Sequence, residues 1–512
     1  MAKRLLEIGQ NDISLQDIRY FIEETPPVGL SEAVINQVNK SRQIIEDIVE
    51  SGRVVYGVNT GFGKFADVRI EREATAELQR RLVLSHAAGV GDPMPAELVR
   101  LMMLLKIKNL AQGYSGARLE VVELLVDMLN RGVVPVVPQQ GSVGASGDLA
   151  PLAHMAAVMI GEGEAFYEDE RLPGAQALRK AGLRPLVLQA KEGLAVLNGT
   201  QAIQAYGLLA LIRAQNLLKT ADVIGAMTLE ALLGTLTAFD PRIQHIRRHP
   251  GQQIVAENVR RLLENSPIVE SHRYSDHKVQ DAYSLRCIPQ VHGAVRDGLD
   301  YVRSVFEREM NGVTDNPLVF PDNGDVLSGG NFHGEPVALA ADYMGILTAE
   351  LANISERRIE HMLDPAVSEM AGFLTKEGGL NSGFMMAHVT AAALVSENKV
   401  LAHPSSVDSI PTSANKEDHV SMGTYAARKA LQITENVENV LAVELICAAQ
   451  ALDLRAPLKP AEPTERVLNT VREVIAHWAE DRFMHTDLTK AKELIRSGKI
   501  IQAAEAVSGE LK

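Results

Sequence analysis

The sequence of 512 residues has only two cysteines, Cys287 and Cys447. They lie far apart with no C-x-x-C spacing, which excludes a disulfide framework and a cysteine zinc site and suits a reducing cytosol. Aromatic residues make up 4%, with Trp478 the single tryptophan, so the core has to be aliphatic. Positive charge is in deficit: 51 Lys and Arg face 65 Asp and Glu, a formal net charge of −14. A field of that sign repels phosphate backbones and anionic membranes, so neither nucleic acid nor membrane is expected as a partner. No uninterrupted apolar run reaches the ~18 residues that a spanning helix needs. The most apolar stretches, such as 335–355, are broken by Asp342 and Glu350. At the N-terminus Glu7 falls too early for a secretory apolar region. These absences lead to the expectation of a soluble, cytoplasmic chain.

What is present is helical periodicity. Residues 424–452 place Ile433, Val437, Leu441, Leu445 and Leu452 on one stripe, with Glu435, Glu438 and Glu444 elsewhere around the helix. Long patterns of the same kind cover 97–112, 116–131, 201–234, 296–310, 336–363 and 383–402. The spacing predicts a mainly α chain, a bundle of long rods with a mixed N-terminal part. Short strand-like runs are confined to 54–56, 133–137 and 186–188. We divide the chain near residue 205, into an N-terminal domain over 1–205 and a helical region over 206–512. Frequent Ala and Gly on the helices allow close approach and leave apolar faces for another copy, so a homo-oligomer is expected. Between the helices run Gly-rich, polar connectors, and such loops on a rigid frame are where chemistry tends to sit.

One connector stands out: Gly141-Ser142-Val143-Gly144-Ala145-Ser146-Gly147-Asp148-Leu149-Ala150-Pro151-Leu152-Ala153-His154. Taken alone it is a Gly/Ser turn feeding a helix, with Asp148 placed as its cap. A nucleophilic serine is the sharper reading, but neither Ser142 nor Ser146 sits in a G-x-S-x-G elbow. A phosphate loop fails as well, because no Gly-Lys-Ser/Thr follows.

The run from Gly144 to Leu152 resembles the signature of the aromatic amino acid ammonia-lyase family. Further blocks resemble that family in the expected order: Tyr56-Gly57-Val58-Asn59-Thr60-Gly61-Phe62-Gly63, Asn198-Gly199-Thr200, Gln280 to Arg286, Thr314 to Pro317, Gly329-Gly330-Asn331-Phe332 and Asn381 to Met385. The resemblance implies the long-helix bundle of the ammonia-lyase, fumarase/aspartase-like type. It also implies a homotetramer whose active sites draw loops from three subunits. Its cofactor would be made from the chain itself: Ala145-Ser146-Gly147 would cyclise to a 4-methylideneimidazol-5-one (MIO). A residue without Cβ at 147 lets its amide nitrogen approach the Ala145 carbonyl at low steric cost. Loss of water from Ser146 would leave an exocyclic methylidene, an electrophile that no ordinary side chain supplies. No metal and no dissociable cofactor is expected.

The resemblance also assigns roles. The substrate amine would add to the methylidene carbon, and a tyrosinate at Tyr56 would remove the β-proton. Phenols titrate near ~10 in water, so such a base calls for nearby donors or positive charge. An aromatic pinning a Gly-rich loop is the plain alternative for Tyr56. Arg286 would clamp the substrate carboxylate through two parallel hydrogen bonds, or else serve a structural ion pair. Tyr283 would orient the adduct, Asn198 the ring carbonyl, and Gln280 would be a further polar contact. Asp148 is a helix cap, a supporter of the electrophile, or both.

Substrate choice turns on the ring-facing residues. His86 and Phe332 lie in blocks that meet the substrate, yet histidine at position 86 also occurs in tyrosine-directed relatives. Glu417, in Asn415-Lys416-Glu417-Asp418-His419, matches the histidine-directed members. A carboxylate facing an imidazole N–H makes a charge-assisted bond, whereas against a phenyl ring it would be buried and unpaired. The expected reaction is elimination of ammonia from L-histidine to trans-urocanate. The rivals are the same chemistry on phenylalanine or tyrosine, an aminomutase, and a non-catalytic helical scaffold. One departure from the family pattern is Lys416, where glutamine is usual; it is expected to point outward or to meet Glu417 at the rim. Other motifs carry less. Gly61-Phe62-Gly63-Lys64-Phe65-Ala66 mimics a dinucleotide loop without the following helix or acid. His245 and His249 have zinc-helix spacing but Arg in place of the needed Glu. His292, His333 and His388 default to structural hydrogen bonds.

Overall fold

Aliphatic periodicity becomes helix along most of the chain. The computed structural model describes residues 3–61, 69–274 and 279–512. Phe62 and Gly63 of the first family-like block, and most of the dinucleotide-like turn, lie outside them. The predicted long patterns appear as helices Ala96–Ala111, Leu119–Asn130, Gln201–Ala231, Ile288–Glu309, Glu335–Leu363, Met385–Leu401 and Gly423–Leu454. The helix Glu335–Leu363 is long and apolar enough to cross a membrane by length and composition, but 72% of its most apolar window is buried within the fold.

Two of the predicted strands are absent. Val54–Tyr56 leads into a turn closed by Val58 N–H donating to Val55 O at 3.1 Å. Leu186–Leu188 forms no strand. Within 133–137, Val134–Pro135 is a strand, paired antiparallel with Glu164–Tyr167.

The chain forms two compact units, each assembled from three segments. Unit 1 comprises 1–209, 303–342 and 404–428, and unit 2 comprises 210–302, 343–403 and 429–512. The first boundary falls close to the division drawn at 205; the return of 303–342 and 404–428 to unit 1 has no counterpart in the sequence reading.

Unit 2 is held by aliphatic packing and by charges taken out of water in pairs. Ile433, Val437, Leu441 and Leu445 are fully buried, as their stripe predicted. Glu444, placed off that stripe, is also fully buried. Its carboxylate is satisfied by a fork from Arg358, with bonds of 2.5 and 2.9 Å, and by the Thr228 hydroxyl at 2.8 Å. Buried charges persist when paired and hydrogen-bonded in this way. His292 does the same work beside it: its Nδ1 lies 2.8 Å from Asp222 Oδ1, and burial pushes the imidazole pKa down while Asp222 acts against that. His388 meets Glu356 at 2.7 Å.

Unit 1 carries the short sheets. Strands Leu6–Ile8 and Val28–Leu30 pair in parallel, Val90–Pro93 pairs with Pro138–Gln140, and Leu318–Phe320 with Asp325–Leu327 forms a hairpin. The 138–140 strand delivers the chain to the Gly/Ser connector, and the helix Leu149–Met159 takes it away. Asp148 stands at that junction, but no side-chain bond from it caps the helix that follows. Its carboxylate instead caps Gln201–Ala231. Oδ2 accepts from the Ala202 and Ile203 N–H groups, both at 2.9 Å, and Oδ1 accepts from the Thr424 and Ser142 hydroxyls at 2.6 and 3.1 Å. Full burial pushes the Asp148 pKa up to about 6, against the pull of those four donors. The negative group at a helix N-terminus is the favourable arrangement.

Asp148→Ala strands two amides and two hydroxyls, and a buried unpaired donor costs about 1–3 kcal/mol. We expect a loss of about 3 kcal/mol in urea unfolding for Asp148→Ala, and roughly half of that for Asp148→Asn, which keeps one acceptor oxygen. Wild-type stability of the alanine variant would contradict the capping role.

Candidate active site

The connector 141–148 is clamped from three sides within unit 1. Gly199 grips it most closely: its carbonyl accepts from Asp148 N–H at 2.7 Å, and its N–H points to Ser146 O at 3.5 Å. The result is a parallel bridge between Gly147 and Gly199. Gly147 has φ +72°, and a Cβ there would sit 2.1 Å from Gly199 O, against backbone that cannot step aside. Only glycine fits. From a second side, Ser421 donates its hydroxyl to Gly144 O at 2.9 Å, and Met422 N–H bonds Val143 O at 2.8 Å. From a third, Gly334 N–H reaches Gly144 O at 3.2 Å. Ala145 is buried, Gly147 is buried, and Ser146 is half-buried with its side chain toward a cavity.

That cavity, of about 900 Å³, is lined by Tyr56, His86, Ala145, Ser146, Asn198, Phe332 and Glu417 among others. Seven of the residues singled out in the sequence therefore share one wall system, although they come from six separate stretches of chain. His86 closes the helix Thr75–His86, and its Nδ1 lies 2.8 Å from Leu82 O. A carbonyl only accepts, so Nδ1 is the donor of this bond and Nε2 is left for the cavity. Asn198 follows the helix Glu192–Leu197 and is buried. Its amide Nδ2 donates to Asn316 O at 2.8 Å and lies 3.4 Å from Asp315 Oδ1.

Glu417 meets the triplet directly. Its Oε1 accepts from the Ser146 hydroxyl at 3.1 Å, and its Oε2 accepts from the Thr412 hydroxyl at 2.6 Å. Thr412 and Glu417 also pair as an isolated antiparallel bridge, which closes the loop between them. Closing it so tightly puts Ser413, Ala414 and Asn415 at φ of 52°, 53° and 64°. Non-glycine residues in this region store roughly 1 kcal/mol or more apiece, strain typical of loops that hold a side chain in place. Lys416 lines the cavity, and among the described residues it makes no ion pair with Glu417.

Gln280, Tyr283 and Arg286 belong to unit 2 and are not among the residues lining this cavity. They form a cluster of their own. Arg286 donates to Gln280 Oε1, its guanidinium lies 4.6 Å from the centre of the Tyr283 ring, and Tyr283 is 70% exposed.

Several site-building residues went unread in the sequence. Thr412, which anchors Glu417, has no motif of its own. His419 lines the cavity only two residues beyond Glu417, and its ring stacks at 5.6 Å on that of His333, a residue the sequence reading had left to a structural role. Lys106 is fully buried, with Nζ donating to Asn198 O at 2.5 Å. Its signal was available: a lysine between Leu105 and Ile107 in an otherwise apolar run. Burial pushes its pKa down to about 7, Asp315 and Asp148 act against that, and Lys191 adds to it.

Comparison with known proteins places this geometry. The family model for aromatic amino acid lyases matches residues 13–473. The histidine ammonia-lyase of Caldanaerobacter subterraneus is 52% identical over 493 residues, covering 96% of this chain and 97% of the relative. That of Natranaerobius thermophilus is 52% identical over 509 residues, covering 99% and 100%. Among solved structures, histidine ammonia-lyase from Trypanosoma cruzi superposes with a TM-score of 0.92 at 44% identity, covering 98% of this chain and 96% of that one. Tyrosine aminomutase from Streptomyces globisporus gives 0.93 at 33% identity, covering 99% and 100%. With a family match over most of its length and relatives aligned end to end, the chain belongs to the aromatic amino acid lyase family.

Proposed function

We propose that this chain eliminates ammonia from L-histidine to give trans-urocanate, the opening step of histidine degradation in the cytoplasm, with an MIO electrophile built from Ala145-Ser146-Gly147. One observation carries the reading: the Ser146 hydroxyl and the Glu417 carboxylate meet at 3.1 Å on the wall of a single cavity. The place where an electrophile would form and the group suited to an imidazole N–H are thus neighbours. The relatives that are 52% identical over nearly their full length are histidine ammonia-lyases, which supports the same substrate.

The residues fit the group. Ring closure joins the Gly147 nitrogen to the Ala145 carbonyl carbon, and the carbonyl oxygen leaves as water with the Gly147 and Ser146 amide protons. The Ser146 hydroxyl then leaves with its Cα proton as a second water. The clamp on both flanks of Gly147 restrains the segment that must fold back, which lowers the entropy cost of closure. Once formed, the group supplies an electron sink for the substrate amine.

The side chains do the rest. Glu417, steadied by Thr412, accepts from the substrate imidazole N–H, and Phe332 packs against the ring. Tyr56 serves as the base that removes the β-proton. Asn198 and His86 Nε2 present polar atoms to the remaining substrate groups. Among the described residues no arginine lines the cavity, and Arg286 with Gln280 and the exposed Tyr283 is a cluster suited to clamping the substrate carboxylate. We assign it to the cavity of another copy in a homotetramer. Exposed Tyr343, Ile346, Met386 and Val389 offer apolar surface for such an assembly.

The direct test is ultraviolet absorbance on incubation with histidine, phenylalanine and tyrosine in turn. A urocanate band with histidine alone is expected; cinnamate or coumarate at a comparable rate would overturn the substrate choice. Ser146→Ala should fold and assemble but lose turnover by about 10³-fold or more, the scale of removing a principal catalytic group. Glu417→Gln keeps the shape and loses the charge. It should lower kcat/KM for histidine roughly 10- to 100-fold, the size of one charge-assisted bond of about 1.5–3 kcal/mol. Wild-type kinetics in that variant would remove Glu417 from ring recognition while leaving the reaction class intact.

A further inference from the structure

A cation in the middle of an apolar helix has to be held by something. The helix Ala96–Ala111 is buried from Leu98 to Ala111 apart from Arg100, and it includes both Lys106 and Lys108. The two lysines serve different places. Lys108 Nζ donates to Gly9 O and Asn11 O at 3.2 and 2.8 Å, tying down the N-terminal segment. Lys106 Nζ donates to Asn198 O at 2.5 Å, and the helix offers it no route to water.

The Asn198–Gly199 peptide links that ammonium to the triplet. At one end its carbonyl takes the Lys106 N–H; at the other its N–H faces Ser146 O at 3.5 Å. A hydrogen bond from an ammonium is about twice as strong as one between neutral groups. Electron density drawn toward Asn198 O also makes the Gly199 N–H a better donor, the ordinary cooperativity of bonds in series. The Asn198 side chain is gripped separately, by Asn316 O and Asp315, and Asp315 is in turn paired with the buried Lys191 at 2.7 Å. The Asn198–Gly199 peptide, which leads directly into the Gly199 carbonyl that crowds Gly147, is therefore held at its carbonyl, and Asn198 is held at its side chain as well.

We propose that Lys106 is a positioning residue for ring closure at 145–147: its ammonium fixes and polarises the Asn198–Gly199 peptide, whose N–H holds the Ser146 carbonyl in register with Gly147. Lys106 touches none of the reacting atoms and takes up or gives no proton, so the two waters released are those already accounted for. The inference rests on the electrophile proposed above for the same site.

The experiment is intact-mass spectrometry of wild type, Lys106→Met, Lys106→Arg and Lys108→Met, with circular dichroism and kinetics on each. Wild type should be lighter than its sequence by two waters; if it is not, the reading of the site fails, whatever the variants do. Given that deficit in wild type, most Lys106→Met chains should keep the unreacted mass. Their kcat should fall in proportion while KM stays put, because the chains that do close are normal. Lys106→Arg, which keeps the charge, should restore the deficit. Lys108→Met, equally a loss of a buried lysine from the same helix, should close fully. Complete closure with wild-type kcat in folded Lys106→Met overturns the proposal, and so does a Lys108→Met that is as deficient as Lys106→Met. If Lys106→Met does not fold, Lys106→Gln takes its place; misfolding of both confines the lysine to the fold and equally overturns it.

Discussion

Two glycine backbones in contact set the terms for this site. Gly147 at φ +72° lies so close to Gly199 that a single added carbon would overlap the Gly199 carbonyl. The contact is possible because Gly147 has no side chain, and it is fixed because both polar ends of Gly199 are used, one on Asp148 and one facing Ser146. Everything near it is arranged to keep that contact in place. Asp148 is anchored in the N-terminus of the helix Gln201–Ala231, so the two strands of the bridge share one support. Ser421 and Gly334 hold Gly144, where the connector enters.

Holding backbone this firmly inside unit 1 requires charge where water is absent. Lys106, Lys191, Asp315 and Asp148 are all fully buried. Each would be costly alone: Lys191 and Asp315 pair with each other, Asp148 is met by four donors, and Lys106 is met by the Asn198 carbonyl. The same logic recurs in unit 2, where Arg358, Glu444, His292 and Asp222 tie helices together without solvent. The Glu417 loop uses a different device. Three consecutive left-handed residues are tolerated there because the Thr412–Glu417 bridge closes around them. A carboxylate on so short a tether has little freedom to turn away from the cavity, which is what preorganised recognition needs.

Much of this was legible in the sequence, for physical reasons that differ from element to element. The long helices were readable because aliphatic residues recur every three or four positions over twenty residues or more. The burial of Glu444 was not legible, because periodicity places it off the apolar stripe and has no means of seeing Arg358 from another helix. The apolar run at Val54–Tyr56 was misread because a strand needs a neighbour, and a turn closes there instead. Asp148 was read as the cap of the next helix in sequence, whereas the helix it caps begins over fifty residues later. Among site residues, Tyr56, His86, Ser146, Asn198, Phe332 and Glu417 came from motifs and converge on one cavity. Thr412 and Lys106 carry no motif, and their part appears only when the backbone they hold is seen.

The central claim is that the triplet does not remain an ordinary peptide. It is tested most directly by the electron density of a high-resolution crystal of active protein at residues 145–147. The account predicts a closed five-membered ring, with a bond from the Gly147 nitrogen to the Ala145 carbonyl carbon and no hydroxyl on the former Ser146. An open Ala145-Ser146-Gly147 peptide in fully active enzyme would contradict it.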